Sequence, residues 1–350
     1  MKLKRRIFWF VVALELLLTV AAAFAQQPIT NKQPQKKIAE ISVTHTNFHG
    51  WDATVLRNRV AEIILVPSIG RIMYFGFFND GSADVTAQNV LWNNPAVGTD
   101  QKPDVEGWIN FGGDKVWPAP QSDWPKITGR PWPPPKTFDS TPYTESVEGD
   151  QVQLLSSVDS SYGIRMRRTI TIDPQKPVMT VKTTFEKTQG APVSVAVWMI
   201  AQMASPERAF ILLPKKSAFA HGYTNMMPAQ PDDIKTNGRL LSLVRDPKDK
   251  TMIGSDGEIL LWVGEQTDVL IENKTAPLPG SNVRWPDGLH SKIYTNSGDE
   301  LKYVEFELLT PLANLKPGTS SSMSVTYTLM PRTEKDPLRE AKKIFSPALN

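Results

Sequence analysis

The sequence predicts an all-β protein, an antiparallel β-sandwich in a single domain. Runs of about four to ten residues rich in Val, Ile, Thr and aromatic residues alternate with Pro, Gly, Asn and Asp along most of the chain. No regularly spaced helical segments separate these runs, so hairpins between antiparallel strands are expected rather than crossovers. No repeat of fixed period is visible, which disfavours a propeller.

The first 25 residues are predicted to be a signal peptide. The segment opens with basic residues, continues with an apolar run and ends with Ala23-Phe24-Ala25, the small-x-small pattern of a signal-peptidase site. The alternative is an uncleaved membrane anchor. Glu15 counts against it, because a charge at the middle of a bilayer costs about 2.5 kcal/mol or more. We therefore expect a soluble periplasmic or secreted bacterial protein that begins near Gln26.

The rest of the chain divides into three parts. Residues 26–37 are polar, contain proline and lack an apolar period, which predicts a flexible lead. Residues 38–331 are expected to form the sandwich, interrupted by a long region without strand signal from about Asn93 to Thr141. Regions of that kind are usually functional. Residues 332–350 are expected to be a tail with a short helix, which Asp336 can cap.

Charge and residue content limit the classes of function. The net charge is +3, and loss of residues 1–25 would remove four basic residues and one acidic residue, leaving zero. A neutral protein has no electrostatic basis for binding nucleic acid. The chain has no cysteine, and its four histidines form no short-spaced pair with carboxylates. No cofactor or metal is therefore predicted, although calcium bound through oxygen ligands stays open.

The run NFGGDKVWPAPQSDWP, residues 110–125, is predicted to be a rigid, shaped loop. Proline removes backbone donors and Gly-Gly permits unusual torsions, so neither a helix nor a central strand is expected. Tryptophan faces suit the C–H faces of a pyranose, and polar side chains can bond its hydroxyls. The alternative is that the tryptophans only pack the loop onto the sandwich. The candidate sugar contacts in and near this run are Asp114, Lys115, Trp117, Gln121, Asp123, Trp124 and Trp132.

Four stretches together resemble the galactose-mutarotase-like superfamily, which includes the aldose 1-epimerases. They are VPSIGRIMYFGF, INFGGDKVWPAP, RWPDGLHSKIYTN and YVEFELLTPLANLKPG, and they span most of Val43 to Met330. The GGxKxWPAP motif resembles a domain-of-unknown-function branch more than the true epimerases. The resemblance implies a β-supersandwich with a carbohydrate site in a shallow cleft on one sheet.

The resemblance also implies roles for individual residues. Mutarotation needs a base for the anomeric hydroxyl proton and an acid for the ring oxygen. The superfamily's catalytic glutamate falls at Glu307, with Glu305 as the alternative on the same strand face, unless both face solvent. Its sugar-contacting arginine falls at Arg71. The positions of the epimerase histidine and asparagine hold Trp198 and Gln202.

Both histidines expected of an epimerase are absent, since Phe111 precedes the paired glycines and tryptophan cannot act as a general acid. His221, in HGYTN, lies about twenty residues after the position that the resemblance gives to the epimerase histidine. His290 is a further candidate for substrate contact. We expect an exported carbohydrate-binding protein, as a non-standard epimerase-like isomerase or, alternatively, a noncatalytic carbohydrate-recognition or cell-envelope module. Burial of Glu307 opposite Lys115, His221 or His290 would favour the enzyme.

Overall fold

Two antiparallel β-sheets make up most of the computed structural model, which describes residues 41–78, 88–95, 107–231, 233–276 and 283–349. These residues belong to one compact unit, so the predicted all-β single-domain sandwich is confirmed. The predicted signal peptide and the lead segment lie outside the described residues. Within them, no helix has the length and apolar character needed to cross a membrane.

The strands follow one another closely along the chain. Their bounds are β1 Ser42–Phe48, β2 Trp51–Arg57, β3 Ala61–Val66, β4 Arg71–Phe77, β5 Asp114–Ala119, β6 Thr144–Glu148, β7 Gln151–Val158, β8 Ile164–Ile172, β9 Val178–Lys187, β10 Val193–Ala204, β11 Arg208–Leu212, β12 Thr224–Asn225, β13 Lys235–Asn237, β14 Leu240–Leu243, β15 Thr251–Ser255, β16 Ile259–Val263, β17 Thr267–Asn273, β18 Ser291–Thr295, β19 Tyr303–Leu309, β20 Ala313–Leu315 and β21 Ser320–Pro331.

The first sheet has eleven strands and the second has ten. The first runs in the order β1-β2-β3-β4-β5-β10-β19-β18-β15-β12, and β20 pairs with β10. The second runs in the order β13-β14-β11-β16-β17-β21-β9-β8-β7-β6. Neighbouring strands pair antiparallel, as in β5 with β10 and β10 with β19. The middle of the first sheet therefore joins segments that are nearly 200 residues apart in sequence.

Alternate residues of β8 enter the core between the sheets, as their period-two pattern predicts. Arg168 interrupts that pattern and is nevertheless buried, because its guanidinium pairs with Asp114 of β5 in the facing sheet. The buried apolar side chains of the strand are Ile164, Met166, Ile170 and Ile172.

The run 110–125 is not the continuous loop that the sequence predicted. Asp114–Ala119 forms β5 in the middle of the first sheet, and Trp124–Thr128 forms a short helix, α1. Along its length β5 pairs with β10, but it pairs with β4 only where Ile72 faces Asp114. Beyond Asp114 one edge of β5 has no partner strand in the described part of the chain, so the strand tolerates Pro118.

The paired glycines bring the chain into β5 through a crowded backbone passage. Gly112 and Gly113 have φ angles of 88° and 73°, in the left-handed region that favours glycine. A Cβ atom at Gly112 would collide with the carbonyl of Trp92, and one at Gly113 with the carbonyl of Ile72. The Gly-Gly pair is therefore required by sterics and does not by itself indicate a ligand.

Two further helices complete the described fold, α2 Lys136–Asp139 and α3 Pro337–Leu349. Asp336 caps α3, since its carboxylate accepts a hydrogen bond from the Arg339 amide at 2.8 Å. Ala341 and Phe345 of α3 cover an apolar cluster on β11, β14 and β16 of the second sheet. The opposite side of the molecule, formed by the first sheet, carries the polar cluster described next.

Candidate functional site

A row of charged side chains crosses the middle of the first sheet on the face that points away from the second sheet. Register places them side by side on four neighbouring strands, and directly paired residues of antiparallel strands share a face. Three of the four residues are charged, and the one on β10 is apolar. This central row consists of Lys115 on β5, Ile200 on β10, Glu307 on β19 and Lys292 on β18.

Two further rows flank the central row on the same face. On one side the row is aromatic and apolar, and on the other side it is polar. The aromatic row consists of Trp117, Trp198 and Leu309. The polar row consists of Gln202, Glu305 and Tyr294. Together the three rows define the outer-face cluster, which combines tryptophan rings with paired lysines and glutamates.

Glu307 is fully buried at the centre of this cluster. Its Oε2 atom accepts a hydrogen bond of 2.7 Å from Trp198 Nε1, whereas its Oε1 atom has no hydrogen-bond partner among the described residues. Burial raises the pKa of Glu307 to about 7, because the positive charge of Lys292 opposes the effect of burial only in part. The carboxyl group therefore changes protonation state near neutral pH.

Lys115 is buried beside the second glutamate. Its Nζ atom donates to Glu305 Oε1 at 3.2 Å and lies 4.5 Å from the ring centre of Trp117 and 5.1 Å from that of Trp108. Burial lowers the pKa of Lys115, and the charge of Glu305 opposes this shift. An ammonium held between two indole faces and one carboxylate is stabilised but has little contact with water.

Lys292 and Gln202 complete the polar lining. Lys292 lies directly beside Glu307 in the register, with its Nζ atom 4.1 Å from the ring centre of Trp198. Gln202 is fully buried, and neither its amide nitrogen nor its amide oxygen has a hydrogen-bond partner in the described part of the chain. Buried amides without partners are rare because desolvation is costly. The Gln202 amide and Glu307 Oε1 thus offer hydrogen bonds to an occupant.

Arg71 lies at the margin of the cluster and serves the protein itself. Its guanidinium donates to Asp139 Oδ1 at 2.7 Å and to the carbonyl of Gly112 at 2.8 Å. Asp139 in turn accepts hydrogen bonds from Trp117 at 2.9 Å and from Trp108 at 3.1 Å. Arg71 was expected to contact a sugar; in the structure its guanidinium orients Asp139 and, through it, two tryptophans.

Three other predicted contacts lie away from the outer-face cluster. Asp114 points into the core, where it pairs with Arg168 and accepts a hydrogen bond from Tyr327. Trp124 is fully buried and donates to the carbonyl of Pro118 at 2.8 Å, so it packs the chain after β5 onto the sheet. Gln121 is exposed in the turn that follows β5. Because successive side chains of a strand point to opposite faces, Asp114 and Lys115 lie on opposite faces of β5. The prediction of a loop for residues 110–125 did not include this separation.

The two candidate histidines differ in position. His290 directly precedes β18, is half-buried, stacks on Trp285 with ring centres 3.7 Å apart, and has its Nδ1 atom 3.1 Å from Glu258 Oε1. His221 is exposed and lines a separate surface cavity with Lys215 and Arg239. His290 therefore lies next to the cluster, two residues before Lys292, and His221 does not belong to it.

Sequence reasoning missed Lys292, Asp139 and Trp108. Lys292 lies in RWPDGLHSKIYTN, which the resemblance had already singled out, two positions after His290. That spacing on an extended strand would have placed both on one face. Asp139 and Trp108 reach the cluster only through tertiary contacts, so no local pattern indicates them. Within the described residues, no three His, Asp or Glu side chains converge as around a metal ion.

No family model and no curated protein matches this chain. Solved structures do match, with identities between 8 and 14% for the three given below. One is a galactose mutarotase-like protein from Lactobacillus casei ATCC 334, with a TM-score of 0.54 and 8% identity over 79% of this chain and 100% of that chain. Another is a candidate mutarotase from Salmonella typhimurium, with a TM-score of 0.53 and 10% identity over 83% of this chain and 94% of that chain.

A third match is a TPR-domain containing protein from Parabacteroides distasonis ATCC 8503. Its TM-score is 0.52 and its identity 14%, and the match covers 84% of this chain but 54% of that one. The chain thus spans about half the length of that protein. At such low identities these matches show a shared fold. The chain has the galactose mutarotase-like sandwich fold, which confirms the superfamily resemblance at the level of architecture.

Proposed function

We propose that this chain, with its galactose mutarotase-like fold, binds a carbohydrate on the outer-face cluster and catalyses opening and closing of a sugar ring. The observation that carries the proposal is Glu307, a fully buried carboxyl group between two lysines. Among the described residues, one of its oxygens and the nearby amide of Gln202 have no hydrogen-bond partner. A buried carboxyl oxygen without a hydrogen-bond partner is costly to keep, and such groups concentrate at functional sites.

The protonation behaviour of Glu307 suits proton transfer at neutral pH. A general base works best when its pKa lies close to the working pH, since it must both take up and release the proton. The pKa of Glu307 is raised to about 7 by burial. In the proposed reaction its carboxylate takes the proton of the anomeric hydroxyl when the ring opens, and the resulting carboxylic acid returns a proton when the ring closes.

The surroundings of Glu307 suit a sugar as the occupant. Trp198 and Trp117 meet edge to face, with ring centres 5.5 Å apart, and provide apolar surface beside the central row. Gln202 offers both a donor and an acceptor, which is what the hydroxyl groups of a sugar require. The neighbouring structures named as mutarotase-like support the same chemistry by analogy of fold.

The test is a comparison of Glu307→Gln with the unaltered protein in mutarotation of freshly dissolved α-D-galactose and α-D-glucose, followed by polarimetry. Loss of the base should slow catalysed mutarotation by about 10²–10⁴-fold. Glu272→Gln is the matched control, because Glu272 is also a strand glutamate but pairs with Lys274 at 2.8 Å in a solvent-accessible position. Its activity should equal that of the unaltered protein.

Two results would contradict the proposal. Unaltered protein that accelerates mutarotation of neither sugar, yet shows saturable binding by calorimetry, would indicate the noncatalytic carbohydrate-recognition module. Full activity in Glu307→Gln would show that the chemistry does not use this carboxyl group.

We also propose export with cleavage after Ala25, for which the basic and apolar pattern of residues 1–25 is the support. Amino-terminal sequencing of the protein from a bacterial periplasmic fraction should begin at Gln26. Recovery of intact Met1 in the membrane pellet would show an anchor instead.

A further inference from the structure

We propose that Lys115 is the proton donor to the ring oxygen, in the role that a histidine holds in the epimerases that the chain resembles. This inference rests on the proposed function and deepens it, because it names the acid that complements Glu307. It stands on three observations: the placement of Lys115 in the central row, the groups that hold its ammonium, and the different surroundings of Lys292.

Placement comes first. Lys115 and Glu307 are both paired with Ile200, one from each side, so they flank this residue at the same level of the sheet. Neighbouring strands lie about 4.8 Å apart, which separates the Cα atoms of the two residues by about 10 Å. Their side chains leave the same face of the sheet on either side of Ile200, so both can reach a group that is placed between them. A base and an acid that act on the two oxygens of one anomeric carbon require this arrangement.

The ammonium of Lys115 is held by groups from several elements. Glu305 on β19 accepts its hydrogen bond at 3.2 Å, and the rings of Trp117 and Trp108 lie within 5.1 Å. The other charges that act on it are Arg71 on β4, which favours loss of its proton, and Asp139 on α2, which favours retention. Asp139 also fixes both indoles through their N–H groups. The lysine is thus held in position and kept from water.

Lys292 has different surroundings. It pairs with Glu307 on the adjacent strand, and its charge is the main influence that opposes the burial of that carboxyl group. Protonated Lys292 therefore keeps Glu307 able to ionise. Lys115 has a separate carboxylate partner and loses little when its proton leaves, because burial already disfavours its charged form.

The proposed step balances as follows. The Glu307 carboxylate takes the proton of the anomeric O–H, and the electrons of that bond form the carbonyl at C1. The bond between C1 and the ring oxygen breaks, its electron pair stays on the ring oxygen, and Lys115 protonates that oxygen. The open-chain aldehyde, neutral Lys115 and protonated Glu307 result. Closure on the other face of C1 reverses each transfer and restores both residues.

A bell-shaped dependence of activity on pH follows. Activity should rise with pH as Glu307 loses its proton at a pKa of about 7. It should fall at higher pH, as Lys115 loses its own proton at a pKa below that of an ordinary lysine. If this fall in activity at high pH is due to Lys115, it should disappear when a proton donor in solution replaces the lysine.

The experiment uses chemical rescue with two matched variants, Lys115→Ala and Lys292→Ala, and mutarotation of α-D-galactose and α-D-glucose by polarimetry. We expect Lys115→Ala to lose about 10²–10⁴-fold of the activity. Methylamine, ethylamine and 2-fluoroethylamine should restore part of it, at rates that depend on the pKa of the amine. Lys292→Ala should also lose activity, but its activity with added amines should not depend on the pKa of the amine. Lys115→Arg provides a second check, because arginine keeps the positive charge but cannot release its proton.

The outcomes separate the two proposals. No activity of the unaltered protein on either sugar would overturn the proposed function itself. Activity that requires Glu307 but survives in Lys115→Arg would overturn the role of Lys115 and leave the proposed function intact. Amine rescue confined to Lys292→Ala would assign the acid to Lys292 instead. Circular dichroism of each variant checks that the protein is folded, so that a loss of activity is not caused by unfolding.

Discussion

Asp114 and Lys115 are neighbours in sequence but lie on opposite faces of the first sheet, in opposite chemical situations. Asp114 faces the second sheet, where Arg168 and Tyr327 bind its carboxylate. Lys115 faces outward into a cluster where Glu307 Oε1 and the amide of Gln202 have no partners among the described residues. Both residues are buried, with exposures of 0 and 1%. Burial alone therefore does not distinguish a structural charge from a candidate functional one.

The two faces differ in how their buried carboxylates are bound: both oxygens of Asp114 accept hydrogen bonds, whereas Glu307 Oε1 accepts none among the described residues. On the core face Asp114 and Arg168 pair across the two sheets, which stabilises one arrangement of the sheets. On the outer face charged and polar groups are gathered with capacity left over, and the protein bears a desolvation cost that an occupant would relieve. This contrast makes predictions about stability that do not require the substrate to be known.

The largest expected effect comes from breaking the core pair. Arg168→Met would leave the Asp114 carboxylate in the core with only Tyr327 as a partner, and should cost about 3–5 kcal/mol of unfolding free energy. Lys115→Met is the matched comparison and should cost less, because the side chain of its partner Glu305 retains 11% exposure and some contact with water. Urea unfolding of both variants gives the comparison. An equal or larger cost for Lys115→Met would remove the proposed distinction between the faces.

The sequence predicted the architecture better than the site. Strand alternation, as in β8, reports which residues enter the core, and this local property was enough to predict a single antiparallel sandwich. The position of β5 was missed because Pro118 and the paired glycines resemble loop chemistry. A proline is compatible with a strand that has one unpaired edge, and sequence alone does not show that edge.

Within the site, the structure places Glu307 and Lys115 in the same row of the first sheet, one on each side of Ile200. Asp114 was expected to contact a sugar together with Lys115, but neighbouring residues of a strand point to opposite faces, and Asp114 of β5 points into the core. The partners of Arg71 come from α2 and from the backbone before β5, which are tertiary contacts. Such contacts depend on how distant segments pack, so a single sequence could not indicate that its guanidinium was already in use.

A second stability prediction concerns Asp268, a buried carboxylate that belongs to neither face of the first sheet. Asp268 on β17 is fully buried, and its carboxyl group lies close to that of Glu340 on α3. Burial and the nearby charge of Glu340 on α3 raise its pKa to about 8. Between pH 4 and 8 the folded state therefore holds a proton that the unfolded state releases, so the unfolding free energy should fall as pH rises.

Asp268→Asn should remove most of this pH dependence, because asparagine has no proton to release on unfolding, and should stabilise the protein by about 1–3 kcal/mol more at pH 8 than at pH 5. Thermal unfolding of both proteins at pH 5 and pH 8 measures the effect. An unchanged slope between the two pH values would show that Asp268 is not the group responsible.

The smallest expected effect brings stability and function together at Glu307. Its folded pKa of about 7 exceeds the ordinary value of 4.5. The folded state therefore binds more protons than the unfolded state between these pH values, and unfolding free energy is lost as pH rises from about 4.5 to about 7. Glu307→Gln should consequently be about 1 kcal/mol more stable than the unaltered protein at pH 8 and equally stable at pH 4, while mutarotation is lost. Urea unfolding at the two pH values measures this. A variant less stable at pH 8 would show that Glu307, like Asp114, is held for structure, and the contrast between the two faces would then fail where the site was proposed.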